Sequence, residues 1–556
     1  MTTGPTDARR GAGRFGRLLP RVSDYTAMAR SPLRDLLAGA TVAIVALPLA
    51  LAFGVASGLG AGAGLTTAIL AGIIAAIFGG SNLQISGPTG AMTVVLVPVV
   101  HNFGVGGVLQ VGLMAGVLLI ILAVSGVGKF VRYLPASLIE GFTVGIAVVI
   151  ALQQVPNMLG VAPGDQEQVL PLAADAVARF LEDPNWIPPV ITVVVAAMIL
   201  IVARLKPSLP VSLIAVIAVT ATAVGAGFAL PSIGELPAPI GSPSAAFLDW
   251  GNAASLLPSA IAVAALGALE SLLCATVADG MRVGEEHDPD RELLGQGLAN
   301  MVVPFFGGVP ATAAIARTAV NARAGAASRL SAISHSAILL IVVLAISPLV
   351  GLIPLAALAG VLLATTIQMV QVGAVRALLA STRSDAVVLV LTFLVTVLVD
   401  LVTAVVVGLA AAAILALRAV AQSAQLEQVP LDTTDHFDEE RALADENIVA
   451  YRFDGPLFFG AAHRFLLELA DVSDVSVVIL RMSRVTTLDA TGGLMLDDAI
   501  ARLERRGIVV LVSGVRPGHG EILRRLGTAP HLRERGRIFE DTPDAIAHAR
   551  GIVASP

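Results

Sequence analysis

The chain lacks most of what marks an ordinary soluble enzyme. Only 14% of its 556 residues are charged and 56% are apolar, whereas about a quarter of a typical soluble domain is charged. Lysine and arginine together number 35 against 41 acidic residues, a net charge of −6. No basic excess exists to neutralise a phosphate backbone, so nucleic acid is not an expected partner. A single cysteine, Cys274, excludes an intrachain disulfide and a cysteine-rich zinc or iron–sulfur site. The sequence also holds no phosphate loop ending in Gly-Lys-Ser or Gly-Lys-Thr, no His-Glu-x-x-His and no Gly-x-Ser-x-Gly. The chain is therefore not expected to be an enzyme, to pump by hydrolysing ATP, or to need a metal or cofactor.

What charge there is lies unevenly. Residues 446–556 carry 14 acidic residues and 14 arginines, whereas the first 445 residues hold the other 48 charges. This shift separates a membrane region from a domain of ordinary soluble composition. The expected plan is an arginine-rich N-terminus over 1–35, a transmembrane domain over 36–420, a linker over 421–445 and a soluble domain over 446–556. The N-terminus carries Arg9, Arg10, Arg14, Arg17, Arg21, Arg30 and Arg34 but no apolar core. It does not resemble a cleaved secretory signal, and the first hydrophobic span is expected to direct insertion.

A helix that crosses about 30 Å of hydrocarbon needs roughly 20 apolar residues. Twelve spans are expected near 36–54, 63–79, 105–125, 134–152, 187–204, 210–228, 255–279, 291–306, 330–348, 354–372, 384–400 and 402–420. Two shorter pieces, near 88–100 and 310–323, begin at Gly/Pro breaks and bring the total to about fourteen. With the N-terminus inside, Lys129/Arg132, Arg204/Lys206, Arg282/Arg291, Arg323/Arg329 and Arg376/Arg383 all fall on the inner face, where basic residues are retained. The acidic loops 157–186, with Asp165, Glu167, Asp175, Glu182 and Asp183, and 229–254, with Glu235 and Asp249, fall outside. The even count leaves both termini and the soluble domain in the cytoplasm of a bacterial-type plasma membrane.

The broken segments, Ile85–Met92 and Gly307–Arg317, occupy the third and tenth places, equivalent positions in two halves. Paired interrupted segments point to an inverted-repeat transporter in which two half-helix N-termini meet near the midplane. Free N–H groups and positive dipole ends there favour an anion. Two ordinary proline kinks are the alternative.

Ionisable side chains deep in a span are few. Glu270 lies mid-span and Arg317 about two turns beyond the second break. Such groups usually face the protein interior or a wet cavity, which makes Glu270 a candidate proton carrier and Arg317 a candidate for attracting the substrate. The alternative is a buried structural pair. Cys274, one turn after Glu270, shares its face and is expected at the cavity. His335 is expected to be a hydrogen-bonded helix histidine, and Glu140, Asp279 and Asp400 to be residues at span ends.

In the last 111 residues apolar runs at Ile448–Phe453, Val475–Leu480 and Ile508–Ser513 alternate with helical patterns, an α/β arrangement. Asp489-Ala490-Thr491-Gly492-Gly493 opens a helix that Asp489 or Thr491 would cap. Thr491 there is either part of the cap or a regulatory position for phosphorylation or partner contact.

These segments resemble the SulP family, relatives of the animal solute carrier family 26 anion transporters. Ala46–Gly54 is similar to the family's first span, Ile85–Met92 to its third and Val309–Thr318 to its tenth, and Asp489–Gly492 fits the Asp-x-Ser/Thr-Gly turn of STAS domains. The resemblance implies a multi-pass α-helical membrane protein with a 7+7 inverted repeat and a cytoplasmic α/β STAS domain. It implies a homodimer in the lipid bilayer and secondary transport of sulfate, bicarbonate or another small inorganic anion by an elevator-like movement. The anion would lie between the third and tenth half-helices, against Pro88, Thr89, Gly90 and Ala91 and against Thr312, Ala314, Ile315, Ala316 and Arg317. Phe53 of the first-span motif would border the cavity with Cys274.

The first- and third-span motifs look closest to the cyanobacterial sodium-coupled bicarbonate transporters. Those members resemble one another in carrying Asp where Glu270 stands and Thr at the positions aligned with Cys274 and Ile315. Two oxygen ligands for a hard cation are thus missing, and a titrating Glu270 suits a coupling proton over sodium. Leu49 stands where many sulfate-type members have Gln, and Ala313 where many have Gly. In the STAS domain the resemblance puts Thr491 at a phosphorylatable position and allows a cytosolic partner. A membrane-anchored STAS signalling module is the competing function.

Overall fold

The computed structural model describes residues 18–129, 135–162, 164, 166, 168–205, 210–235, 241–281, 286–423, 425–428, 447–457, 475–527 and 530–554. Arg9, Arg10, Arg14, Arg17, Arg132, Asp165, Glu167, Lys206, Arg282 and, of the expected 421–445 linker, residues 424 and 429–445 lie outside them. The chain divides into two compact units, residues 1–409 and 410–556.

The first unit is helical because backbone N–H and C=O groups out of reach of water must bond within their own segment. Its first half holds α1 (Pro32–Ala56), α2 (Ala61–Phe78), β1 (Ser86–Gly87), α3 (Gly90–Ser125), α4 (Ala136–Gln153), α5 (Val155–Leu159), α6 (Val169–Glu182), α7 (Ile187–Leu205) and α8 (Val211–Gly225). The second half holds α9 (Ala253–Gly280), α10 (Pro289–Val302), β2 (Thr312–Ala313), α11 (Ile315–Arg323), α12 (Leu330–Gly351), α13 (Leu355–Met369), α14 (Val372–Ser381), α15 (Arg383–Leu398) and α16 (Leu401–Ser423). Eight described helical stretches are long and apolar enough to cross a membrane, one of them, Leu355–Ser381, joining α13 and α14, and α7 and α8 carry shorter apolar stretches.

The third and fourth spans are divided where the sequence places them, and two other boundaries differ from expectation. Gly104, whose φ of 66° interrupts the helical path and suits a residue without a Cβ, divides α3 into two helices between the expected pieces near 88–100 and 105–125. The tenth begins at Ile315 rather than near 310, because Thr312–Ala313 are drawn into β2. The expected loop 157–186 contains α6, which buries Leu172, Ala173, Ala176 and Phe180 along one face, a 3.6-residue periodicity in a segment too polar to read as a span.

The packing repeats itself across the two halves. Spans one to seven are α1, α2, the two parts of α3, α4, α7 and α8; spans eight to fourteen are α9, α10, α11, α12, α13, α15 and α16. The first packs on the eleventh (α1 on α12) as the eighth packs on the fourth (α9 on α3). Likewise α2 packs on α12 as α10 packs on α3, and α4 on α15 as α13 packs on α7. Each of these pairings has a counterpart seven places away, and seven is odd, so the second repeat enters the membrane from the opposite side. At the centre β1 and β2 pair antiparallel, Ser86 with Ala313 and Gly87 with Thr312.

The second unit is built on a sheet ordered β3 (Gln425–Gln428), β4 (Ile448–Leu457), β5 (Val477–Arg481), β7 (Val509–Ser513) and β8 (Ile538–Phe539), with β6 (Val485–Leu488) also pairing with β4. Strands β4, β5, β7 and β8 run parallel and β3 runs antiparallel. Alternation along β5 sends Val478 and Leu480 to the core shared with α17 (Ala490–Arg505). Val477 and Ile479 go to the other face, under Ala545, Ile546 and Ala549 of α20 (Thr542–Val553). Both faces are covered, as buried parallel strands require. Between these helices lie α18 (Pro517–Leu526) and α19 (Pro530–Glu534).

Candidate functional site

The two broken segments meet at β1 and β2, and the residues after each strand open a helix. Thr89 is the N-cap of α3 and Ala314 the N-cap of α11, and neither helix start receives a side-chain cap. A threonine at this position usually accepts a hydrogen bond from its own first turn. Here the Thr89 hydroxyl donates instead to Glu270 Oε2 of α9 at 3.0 Å. Both helix starts keep amide donors and positive dipole ends directed at the break.

Arg317 is buried in α11, 2% exposed. Its Nη2 donates to the Pro88 carbonyl at 2.7 Å, while Nη1 is buried without a hydrogen-bond partner. Adjacent residues of one broken segment therefore hold the two charged groups: Pro88 takes Arg317 and Thr89 takes Glu270. Glu270 is half-buried, and Ile315 and Ala316 at the start of α11 are exposed, so the site has an open side. Phe53 and Ile150 close on Gly90, where an added Cβ would run into Ile150 and come within 3.1 Å of Phe53 Cε1. Ala91 is fully packed at 1% exposure.

Beyond the start of α3 lies a cleft of about 570 Å³, lined by Val94, Val95 and Pro98 of α3, Ser259 and Ala262 of α9 and Gln153 of α4, among others. It runs between α3 and α9, which hold Thr89 and Glu270, on one side and α4, α15 and α16 on the other.

Some expected site residues have other tasks. Cys274 is fully buried and its thiol donates to Thr318 Oγ1 at 3.1 Å. It packs α9 against α11 rather than bordering a cavity, because its face of α9 past Glu270 turns into the β2–α11 corner. Thr312 is also fully buried, its hydroxyl paired with Ser271 Oγ at 2.9 Å and donating to the Gly267 carbonyl at 3.3 Å. His335, expected to be hydrogen-bonded, is wholly buried with no partner for either ring nitrogen. At the span ends, Asp279 pairs with His287 at 2.6 Å and Asp400 accepts from Thr403, whereas Glu140 Oε2 is buried without a partner.

A non-helical backbone at membrane depth needs side chains to satisfy it, and those side chains are what the sequence reading missed. Ser271 accepts from Ala313 N at 3.3 Å, and its carbonyl accepts from Gln84. Thr318 accepts from Ile85 N at 3.0 Å, Asn321 donates to the Leu83 carbonyl at 2.7 Å, and Thr67 donates to the Val309 carbonyl at 2.9 Å. From α10, Glu292, Gln296 and Asn300 reach both breaks. Their spacing of four residues along a helix was the available signal.

In the second unit Asp489 caps α17, accepting from Gly492 N at 2.7 Å. Thr491 is exposed in the first turn of that helix.

The model of the sulfate permease family matches residues 33–392, and that of the STAS domain matches residues 441–545. The putative sulfate transporter YvdB of Bacillus subtilis is 34% identical over 507 residues, covering 89% of this chain and 93% of that one. The bicarbonate transporter BicA of Synechocystis is 29% identical over 529 residues, covering 92% and 91%. The solved transmembrane domain of a cyanobacterial bicarbonate transporter BicA superposes with a TM-score of 0.62 at 30% identity, over 68% of this chain and 98% of that one. The murine solute carrier 26 family member A9 anion transporter, in its inward-facing state, has the same fold, with a TM-score of 0.83 at 18% identity over 98% and 97% of the two chains.

Proposed function

The chain belongs to the sulfate permease family of membrane anion transporters, and on that premise we propose that it carries sulfate inward together with a proton. The observation that supports this reading is the pair of bonds from Arg317 to Pro88 and from Thr89 to Glu270. The anion takes the free Arg317 Nη1 and the amide donors at the starts of α3 and α11, where charge-assisted bonds are strongest. Glu270 takes up the proton, which removes a negative charge close to the bound anion. With Glu270 neutral and Arg317 positive, the site loaded with sulfate carries one negative charge through the membrane where the anion alone would carry two. Release of both on the inner side resets it.

The break-bearing helices move against α4, α15 and α16 along the cleft in an elevator-like step. The Arg/Lys bias of the expected inner loops supports cytoplasmic termini in a bacterial-type plasma membrane, and the family resemblance supports a homodimer. A cytosolic partner of the STAS domain acts at the exposed Thr491.

Bicarbonate is the second reading, supported by the likeness to the BicA proteins. The test is uptake of labelled sulfate and labelled bicarbonate into proteoliposomes under an imposed proton gradient, then a sodium gradient. Proton-driven sulfate uptake is the expected result. Sodium-driven bicarbonate uptake with no sulfate flux would replace both substrate and coupling ion. No flux of either anion, with the STAS domain retaining a cytosolic partner, would favour a signalling role.

A further inference from the structure

We propose that Glu292, Gln296 and Asn300 of α10 form a polar stripe that positions both broken segments and thereby sets the affinity of the anion site. The three residues are four apart, which places them on one face of the helix, and none is more than 2% exposed. Each holds a different piece of the break. Glu292 Oε2 accepts from Gly80 N at 2.9 Å and Ser81 N at 3.2 Å, on the approach to β1. Gln296 Nε2 donates to Ser86 Oγ in β1 at 2.6 Å and to Glu292 Oε1 at 3.0 Å. Asn300 Oδ1 accepts from Ala311 N at 2.8 Å and its Nδ2 donates to the Ala311 carbonyl at 2.9 Å.

Asn300 thus serves both polar groups of Ala311 as a neighbouring strand would, one residue before β2. Two residues of ladder are too few to fix register by themselves. The stripe supplies the missing restraint from a regular helix, and rigid elements hold sites more accurately than loops do. The path to the site is short. Ser86 lies two residues from Pro88, the acceptor of Arg317, and three from Thr89, the donor to Glu270. None of the three stripe residues is needed to touch the anion, so they are positioning residues, and the inference rests on the anion-transport reading.

Two readouts separate the stripe from that reading. The first is sulfate uptake by Asn300→Leu, Asn300→Asp and Gln296→Leu proteins in liposomes, with Thr392→Val as a control for loss of a buried hydroxyl in α15, away from both breaks. The second is alkylation of Cys274 by N-ethylmaleimide, which needs no transport. Cys274 is the only cysteine and its partner Thr318 also accepts from Ile85 N, next to Ser86.

The expected result is a rise of about tenfold in the half-saturating sulfate concentration for both leucine variants, with maximal rate changed by less than about twofold. Asn300→Asp, which keeps the acceptor and loses the donor, should fall between them and wild type. Cys274 should alkylate faster in the leucine variants and at the wild-type rate in Thr392→Val. If the leucine proteins fail to fold, Asn300→Asp carries both measurements.

Unchanged half-saturation and unchanged alkylation would overturn the proposal. So would a loss confined to maximal rate and matched by Thr392→Val. If the wild-type protein takes up no sulfate, the transport reading falls, while faster alkylation in the variants still supports the stripe as the restraint on the breaks.

Discussion

Glu270 and Thr89 are separated by 181 residues along the chain and by 3.0 Å in the fold. The bond spends the usual capping oxygen of α3 on a carboxylate in α9, so the same threonine both leaves the helix start open and orients the proposed proton carrier. Glu270→Gln keeps an acceptor for Thr89 and removes the titration. Uptake by this variant should lose its dependence on pH and on an imposed proton gradient, measured in proteoliposomes of matched protein content. Wild-type pH dependence in the variant would take the proton role away from Glu270.

Arg317 is anchored by one nitrogen and free at the other. Arg317→Ala removes a charge-assisted bond to the anion, about 2 kcal/mol or roughly thirtyfold in Kd. Arg317→Lys restores the charge without the fork and should recover only part of the loss. Calorimetric titration with sulfate, on protein that elutes as wild type does, reads both. Equal affinity in all three proteins would remove Arg317 from the site.

The broad plan was legible because its signals are local. Apolar run length marks spans, Gly/Pro interruption marks breaks, and a lone mid-span Glu or Arg stands out against its neighbours. What stayed hidden was long-range. Nothing in the sequence around Asn300 says that its amide will face Ala311, since that contact depends on how α10 lies against the second break. Cys274 was misread for the same reason: helical spacing assigns it the face of Glu270 but not what α11 places against that face.

Gly64 tests how closely α1 and α2 must approach. A Cβ there would meet the Ala50 carbonyl oxygen and lie 2.8 Å from the Gly54 Cα, and neither is a flexible side chain that can step aside. Gly64→Ala should cost about 1–3 kcal/mol through forced separation of the two helices. The expected readout is a lower melting temperature in detergent. A variant as stable as wild type would mean that these helices can part at no cost.

Asp489 and Thr491 divide the two roles open to the start of α17. Asp489→Ala removes the cap on Gly492 N and should lower the stability of the second unit by about 1 kcal/mol, read by hydrogen exchange in β4 and β5 of the full chain. Thr491→Ala touches no cap and should leave that exchange unchanged. Equal protection loss in both variants would make Thr491 part of the cap and weaken its regulatory reading.

Asp24, in the one-turn helix Val22–Tyr25 before α1, offers a pH test outside the membrane. It pairs with Arg291 at the start of α10 at 2.8 Å. Burial alone would raise its carboxyl, but hydrogen bonds from Arg291 and from Arg21 N, with the charges of Arg291 and Arg329, outweigh that and hold it below its ordinary value. A carboxyl depressed in the folded state contributes stability that is complete above the unfolded value, about 3.9, and is lost as pH falls through the folded one. Asp24→Asn should therefore melt below wild type at pH 7, and the gap should close in acid below the ordinary carboxylate range. Since Arg291 immediately precedes Glu292, the same pair anchors the end of α10 from which the polar stripe begins. A gap of constant size at every pH would mean that Asp24 acts through shape alone, and would remove charge from the forces that hold that end of α10.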